Sequence, residues 1–235
     1  MELVGLLKIM TKNTIYLSPS KLNLFLECPL CFWLSEVEKI HRPEGISSTL
    51  PRGMDLLIKK YFDKYRALNK LPPEIEGKVR GKLISQDILN KWRTTNKNSE
   101  PSYYDEKLDA VLFGGLDECL IEGDYYIPAD YKTYGFELKE NSHSFHQLQL
   151  DAYTLMLEAN GYKHLNLAYL IYYIPQEIKE TGLVQFKIEV VEVKTDPERA
   201  KKIFESAVNL LRGPKPNSHS ECQYCSWVGD YLNFK

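Results

Sequence analysis

The sequence predicts a single α/β domain over residues 1–235, in which a mixed sheet is flanked by helices. Three observations predict this class. Apolar residues recur at helical spacing through most of the first 100 residues, they alternate as in strands in the second half, and helical patterns return between and after those strands. We divide the chain into a mainly helical part (1–100), a core (105–212) and a cysteine-containing tail (213–235).

The first part is predicted to hold three helical segments. Ser18 followed by Pro19 is typical of a helix start, because serine caps free backbone N–H groups and proline fits the first turn. This helix is interrupted at Cys28. Further helices are predicted over residues 54–69 and 78–95. The inward face of the first of these is expected to comprise Leu56, Leu57, Tyr61 and Phe62.

A β-hairpin is predicted next. Residues 96–105 are polar and typical of a loop. Residues 107–121 and 125–132 are predicted strands on either side of a turn at residues 122–124, whose sequence is Glu-Gly-Asp. The hairpin is therefore expected to lie at the start of the sheet.

The rest of the core is predicted as helix, two strands and helix. Ser144 and Gln147 have the spacing of a capping box that starts a helix. Residues 165–174 and 184–194 are predicted strands, and Asp196 caps a last helix. The buried stripe of that last helix is predicted to be Ala200, Ile203, Phe204, Ala207, Val208 and Leu211.

The hairpin brings two acidic residues together. If Gly123 and Asp124 form a two-residue loop, the numbers of paired residues sum to 247, which places Asp117 directly opposite Asp130. Their Cβ atoms would then be roughly 5 Å apart on one face of the sheet. Lys132 follows Asp130 by two residues, so it is expected on the same face.

Two opposed carboxylates repel each other unless a cation lies between them. Hard divalent cations such as Mg²⁺ bind through carboxylates and substrate phosphate, so the pair predicts a metal site for phosphodiester chemistry. A loop at Glu122-Gly123 would instead place Asp130 diagonal to Asp117, which still permits a shared ion. The alternative is a surface hairpin with a slipped register. Glu118, on the apolar face, is not explained by either reading.

The net charge is −2, which argues mildly against nucleic-acid binding without excluding a local basic groove. One basic stretch could form such a groove, although a solvated helix face explains it equally well. That stretch contains Lys78, Arg80, Lys82, Lys91 and Arg93.

Four of the five cysteines form two C-x-x-C pairs near the ends of the chain, Cys28/Cys31 and Cys222/Cys225, and Cys119 is left over. Because the apolar run at the start lacks a basic region and a cleavage site, we do not expect a signal peptide; no segment is long enough to span a membrane, and a cytoplasmic location is expected. In that compartment such pairs hold metal more often than they form disulfides. The spacing alone favours zinc, and four reduced thiols without metal are the alternative.

Four segments in this order resemble the motifs of PD-(D/E)XK nucleases of the RecB-like branch: LSPSKLNLFLECP, GGLDECL, IPADYKTYG and QLQLDAY. The chain is also similar to CRISPR-associated iron–sulfur adaptation nucleases. The resemblance implies a restriction-endonuclease-like fold, with a helical cap in which metal-bound cysteines join the N- and C-termini.

The resemblance also implies residue roles. Asp117 and Asp130, with the backbone carbonyl of Tyr131, would bind Mg²⁺ or Mn²⁺, and Lys132 would act on the attacking water. Gln149 and Tyr153 lie four residues apart on one helix face and would position the lysine or the DNA. Helix packing is the alternative for these two residues.

Two departures from the family pattern stand out. Relatives carry a metal-binding histidine on a helix after an Arg-Gly pair, but the residues after Arg52 and Gly53 include none. Asp55 is a candidate substitute, and a solvated helix residue is the alternative reading. Relatives also hold a [4Fe–4S] cluster with one early and three late cysteines. Here the resemblance implies that cluster, with zinc as the alternative, on Cys28, Cys31, Cys222 and Cys225.

The sequence therefore predicts a metal-dependent DNA nuclease that acts on single strands or DNA ends in repair, recombination or CRISPR adaptation. Proteins of those pathways are possible partners, no membrane partner is expected, and the oligomeric state is open. The missing histidine motivates an alternative, an inactive or weakly active DNA-binding scaffold on the same fold. A zinc-containing protein-interaction module with an incidental hairpin is the second alternative.

Overall fold

A computed structural model describes residues 13–43, 45, 49–97 and 99–234, and it has the mixed α/β architecture that the sequence predicts. The apolar run expected not to be a signal peptide lies almost entirely outside the described residues. The strands are β1 (Ile15–Leu17), β2 (Lys82–Leu83), β3 (Ser102–Asp105), β4 (Ala110–Phe113), β5 (Glu118–Glu122), β6 (Tyr125–Thr133), β7 (Leu167–Ile178) and β8 (Val184–Lys194).

The helices lie between strands and after the last strand. They are α1 (Pro19–Glu27), α2 (Pro29–Trp33), α3 (Thr49–Ala67), α4 (Gln86–Trp92), α5 (Gln147–Ala159), α6 (Pro197–Arg212) and α7 (Gln223–Asn233). A π-helical turn follows α2 at Leu34–Glu38, and a 3-10 turn precedes α5 at Ser142–His146. The start of α1 is as predicted, with Ser18 accepting from the backbone of Lys21 and proline in the first turn.

A five-stranded mixed sheet forms the centre, with the order β2-β5-β6-β7-β8. β6 and β7 pair in parallel, whereas the other neighbours are antiparallel. A smaller sheet has the order β1-β4-β3. The parallel pair needs a crossover connection, and α5 provides it on one face of the large sheet.

Apolar layers pack on both faces of the large sheet. One layer lies between the sheet and the helices α1, α5 and α6, and contains Leu150, Met156 and Phe204. The other lies under α3 and includes Ile58 and Phe62. Both layers are needed because β7, between them, is buried on both faces over its first eight residues.

The single strand predicted over residues 107–121 is wrong. The chain leaves the small sheet after Phe113 and enters the large sheet at Glu118. Gly115 lies in the break, and a Cβ atom there would be 2.7 Å from Thr95 Cγ2 and 3.0 Å from the carbonyl oxygen of Arg93. The break thus depends on close backbone packing that only glycine permits.

The helix predicted over residues 78–95 is also wrong in its first half. Gly77 and Gly81 adopt positive φ angles of 74° and 78°, which ends any helix, and β2 follows. A Cβ atom on Gly81 would be 2.4 Å from the carbonyl oxygen of Ile121, so β2 approaches β5 too closely for another residue. The basic stretch therefore does not form one helix face: Arg80 pairs with Glu122, and Arg93 pairs with Asp63.

Two further expectations about helices are corrected. α3 begins at Thr49 rather than residue 54, and Leu56 and Leu57 face outward, because the buried side of the helix is formed by Ile58, Phe62 and Arg66. The capping box at α5 does not form, since the Ser144 hydroxyl donates to the carbonyl of Asn141 instead. The residues expected to be a tail after α6 include the helix α7, and the loop expected at residues 96–105 contains β3.

Candidate active site

The register of the hairpin is the one that a Gly123-Asp124 loop predicts. Glu122 pairs with Tyr125 and Glu118 pairs with Ala129, so the paired numbers sum to 247. Asp117 immediately precedes β5, and the same register continued by one residue places it opposite Asp130. The pairing of β5 with β6 ends at Glu118 and Ala129, one residue short of the two aspartates.

Asp130 is fully buried in the centre of the sheet. Its Oδ1 atom accepts a hydrogen bond of 3.0 Å from Gln149 Nε2, and its Oδ2 atom is in ion-pair contact with Lys132 but accepts no well-directed hydrogen bond. Burial raises the pKa of Asp130 to about 6; the charge of Lys132 lowers it, and that of nearby Asp117 raises it. The two aspartates are therefore close enough to interact.

Gln149 connects the groups of this site through its side-chain amide. Its Oε1 atom accepts from Lys132 Nζ at 3.1 Å, and its Nε2 atom donates to Tyr153 Oη at 2.6 Å as well as to Asp130. Tyr153 in turn donates to the carbonyl of Gly115 at 2.8 Å. The structure thus joins four of the residues singled out from the sequence in one hydrogen-bond network.

Asp117 lies at the solvent side of the same site. Its Oδ1 atom is 2.7 Å from Lys59 Nζ, and the same ammonium is 2.8 Å from Asp55 Oδ2, one turn earlier in α3. Burial alone would lower the pKa of Lys59, but Asp117 and Asp55 raise it above its ordinary value. Asp55 thus reaches the site through Lys59, a residue that the sequence did not single out.

The buried partners of Glu118 explain why this residue lies on the apolar face. It is fully buried, and its Oε2 atom lies 2.6 Å from both Arg66 Nη2 and Tyr131 Oη. Arg93 lies 3.8 Å from the same oxygen, and its Nε atom donates to the backbone carbonyl of Asp117 at 2.9 Å. This buried network fixes the start of β5, and hence Asp117, against α3 and the end of α4.

An open polar cleft leads into the site. It has a volume of about 490 Å³ and includes Asp117, Gln149 and Tyr153 among its lining residues. The first turns of α1 form another wall, with Ser18, Ser20 and Asn23. The cleft therefore gives a solvent path to the carboxylate of Asp117.

The donor atoms fit a hard divalent cation. Asp117 and Asp130 offer carboxylate oxygens, the ligands that such a cation prefers, and the Oδ2 atom of Asp130 is in ion-pair contact with Lys132. Tyr131 directs its side chain toward Glu118, on the opposite side of β6, so only its backbone could contribute to such a site. His146 is half-buried near Tyr172, and burial, followed by the charge of Lys132, lowers its pKa to about 4.

The four cysteines of the two C-x-x-C pairs form a second candidate metal site, which we call the cysteine cluster: Cys28, Cys31, Cys222 and Cys225. Their sulfur atoms all lie within 4.8 Å of one another, and the three separations between neighbouring sulfurs are 3.6, 3.7 and 3.8 Å. Four thiolates about 2.3 Å from one tetrahedral ion would be separated by about 3.8 Å. The cysteine cluster joins α1 and α2 to α7, as the sequence predicts, and could bind a metal.

Cys119 lies apart from the cysteine cluster. It is buried in β5, and its thiol donates to the carbonyl of Leu120. It belongs to the apolar layer beneath α5.

Comparison with known proteins gives one match. The family model described as the PD-(D/E)XK nuclease superfamily matches residues 16–229, which include α1, the hairpin, α5 and all four residues of the cysteine cluster. No curated protein matches the chain. None of the described helices combines the length and the apolar character needed to cross a membrane.

Proposed function

The chain belongs to the PD-(D/E)XK nuclease superfamily, whose members are typically metal-dependent nucleases, and we propose that it is a deoxyribonuclease of this kind. The observation that carries the proposal is the arrangement of Asp130, Lys132 and Gln149. A buried carboxylate and a lysine lie side by side, and a single amide bonds to both. We would not expect an incidental surface hairpin to bury these groups together, because burying charged groups is costly.

In this proposal, Asp117, Asp130 and the backbone carbonyl of Tyr131 hold Mg²⁺ or Mn²⁺. When bound, such an ion polarises the phosphodiester and lowers the pKa of a coordinated water. Burial of Asp130 contributes by keeping its carboxylate away from bulk water, where competing hydrogen bonds would weaken its interactions.

Lys132 provides the fixed positive charge at the reacting phosphate. Its ammonium is held by Gln149 Oε1 and Asp130, and its side chain is still 21% exposed, so one N–H remains able to reach the attacking water or a phosphate oxygen. Gln149 sets the direction of this ammonium. Tyr153 sets the direction of Gln149, since its hydroxyl is itself anchored to the backbone of Gly115.

The substrate in this proposal is DNA, which the protein cleaves in single strands or at DNA ends. Similarity to the RecB-like branch supports this choice, and the polar cleft beside Asp117 offers hydroxyl and amide groups for a sugar–phosphate backbone. Such an activity would serve DNA repair, recombination or CRISPR adaptation.

For the cysteine cluster we propose a single Zn²⁺ ion rather than the [4Fe–4S] cluster implied by the resemblance. All four sulfur atoms lie within 4.8 Å of one another, and three of the six separations are 3.6, 3.7 and 3.8 Å, which suits one tetrahedral ion. In a four-iron cluster each thiolate binds a different iron atom, which spreads the sulfurs further apart. The role of this metal is structural, since all four ligand positions are taken by the protein.

The test is cleavage of labelled oligonucleotides, single-stranded and double-stranded, with Mg²⁺, Mn²⁺ or EDTA. The wild-type protein is expected to cleave DNA only with the divalent ion. Lys132→Ala is expected to lower the rate by about 10²–10⁴-fold. Lys107→Ala, which alters an exposed lysine outside the site, is the matched control and should cleave normally.

Two results would contradict the proposal. Cleavage that persists unchanged in Lys132→Ala would show that the activity comes from elsewhere. DNA binding without cleavage in either metal would support the alternative of an inactive scaffold on the same fold.

A further inference from the structure

Lys59 is placed where a cation is needed. Its ammonium lies 2.7 Å from Asp117 Oδ1 and 2.8 Å from Asp55 Oδ2, so it bridges α3 and the start of β5. The side chains of Lys59 and Asp117 are 22% and 26% exposed, so this ion pair is largely shielded from water. Such a pair is screened less by salt than one on the open surface.

The position of this ammonium conflicts with the proposed metal site. Asp117 is one of the two carboxylates assigned to the divalent ion, and an ammonium and a divalent ion at one carboxylate repel each other strongly over a few ångströms. Lys59 has a long flexible side chain, whereas Asp117 is fixed, because Arg93 bonds to its backbone carbonyl. Lys59 is therefore the partner that can move.

Asp55 gives Lys59 a second carboxylate to remain with. Asp55 and Lys59 are four residues apart on α3, the spacing at which an acidic and a basic side chain pair along a helix. Lys59 can thus leave Asp117 without losing its other ion pair.

We propose that Lys59 is the resident counter-ion of Asp117 in the metal-free protein and that the divalent cation displaces it on binding. The inference rests on the proposed function, because it requires a metal at Asp117 and Asp130. It assigns Asp55 a role as the carboxylate that retains Lys59 after displacement. Lys59 accordingly weakens metal binding while it stabilises the metal-free site.

The test is Mn²⁺ binding, measured by isothermal titration calorimetry on the full chain as purified, with the metal of the cysteine cluster retained. Lys59→Met removes the charge and keeps much of the hydrocarbon. We expect it to bind Mn²⁺ at least about tenfold more tightly than the wild type, since the competing charge is gone. Lys60→Met, which alters the exposed neighbouring lysine, should leave the affinity unchanged.

A second measurement is the increase in melting temperature caused by Mn²⁺. It should be larger in Lys59→Met than in the wild type, because the metal-free variant leaves Asp55 and Asp117 without their counter-ion and the metal then restores a positive charge. If Lys59→Met does not fold, Lys59→Gln, which keeps a hydrogen-bond donor for both carboxylates, is measured in the same two ways.

The outcomes separate this inference from the proposed function. Mn²⁺ binding that is lost in Asp130→Asn but equal or weaker in Lys59→Met overturns the inference alone. Absence of Mn²⁺ binding in the wild type, or binding that persists in Asp130→Asn, overturns the proposed function and the inference with it. Tighter binding in Lys59→Met, together with unchanged binding in Lys60→Met, supports the displacement.

Discussion

The side-chain amide of Gln149 donates to Oδ1 of Asp130 at 3.0 Å and so ties α5 to the buried carboxylate of β6. Because the same amide accepts from Lys132, its two ends recognise opposite charges, and its orientation is fixed by them. An amide can donate to the acid through its nitrogen and accept from the base through its oxygen, and it adds no charge of its own.

Gln149→Leu should lower the rate of cleavage by about tenfold to a hundredfold, with a smaller effect on KM for DNA, because it removes the group that directs Lys132. Steady-state kinetics with a labelled oligonucleotide would measure this. Gln147→Leu is the control from the same helix, since Gln147 bonds to Asp151 rather than to Asp130. Equal losses in the two variants would contradict a positioning role for Gln149.

Gly115→Ala should reduce the rate of cleavage without changing the metal of the cysteine cluster. The added Cβ atom would meet Thr95 and the backbone of Arg93 at 3.0 Å or less, and relief of that contact moves the chain two residues before Asp117. Gly135→Ala is the comparison, because a Cβ atom there has no heavy atom within 4 Å. Oligonucleotide cleavage measures the effect, after circular dichroism has shown that both variants are folded. Full activity in Gly115→Ala would show that the break tolerates a side chain.

Glu118→Gln should destabilise the protein by about 3 kcal/mol, because the guanidinium of Arg66 stays buried without its charged partner. Urea denaturation monitored by tryptophan fluorescence would measure the loss. Glu122→Gln serves as the control: it disrupts an exposed pair with Arg80 and should cost less than about 1 kcal/mol. If the two variants lose nearly the same free energy of unfolding, the buried network has no special structural role.

Cys225→Ser should abolish the bound metal of the cysteine cluster and lower the melting temperature, since three remaining thiolates leave one tetrahedral position open. Metal analysis by mass spectrometry is expected to find one zinc per wild-type chain and almost none in the variant. Cys119→Ala, at a buried cysteine outside the cluster, should retain the zinc. Iron with inorganic sulfide in the wild type would instead establish the iron–sulfur alternative.

The hairpin could be predicted in detail because a short Gly-Asp loop fixes which residues face each other, and the observed pairing of Glu122 with Tyr125 confirms that register. The helix α6 was equally predictable, since its apolar residues follow one stripe and Asp196 caps its start. In both cases the information is local in sequence.

The errors concern contacts between distant segments. The break at Gly115 depends on the close approach of Thr95, and the burial of Glu118 depends on Arg66, 52 residues earlier. Lys59 was missed for the same reason, because nothing near it in the sequence shows that Asp117 lies within reach. Leu56 and Leu57 were assigned inward by composition, although the sheet contacts the other side of α3.

The two halves of the cysteine cluster are far apart along the chain, with Cys28 and Cys225 separated by 197 residues. A growing polypeptide therefore leaves the ribosome with its first pair of thiols unmatched until the second pair has been translated. All strands of the large sheet are made before the second pair emerges. Premature termination just before Cys222 would consequently release a product that carries every proposed catalytic side chain but lacks the thiols that join α7 to α1 and α2.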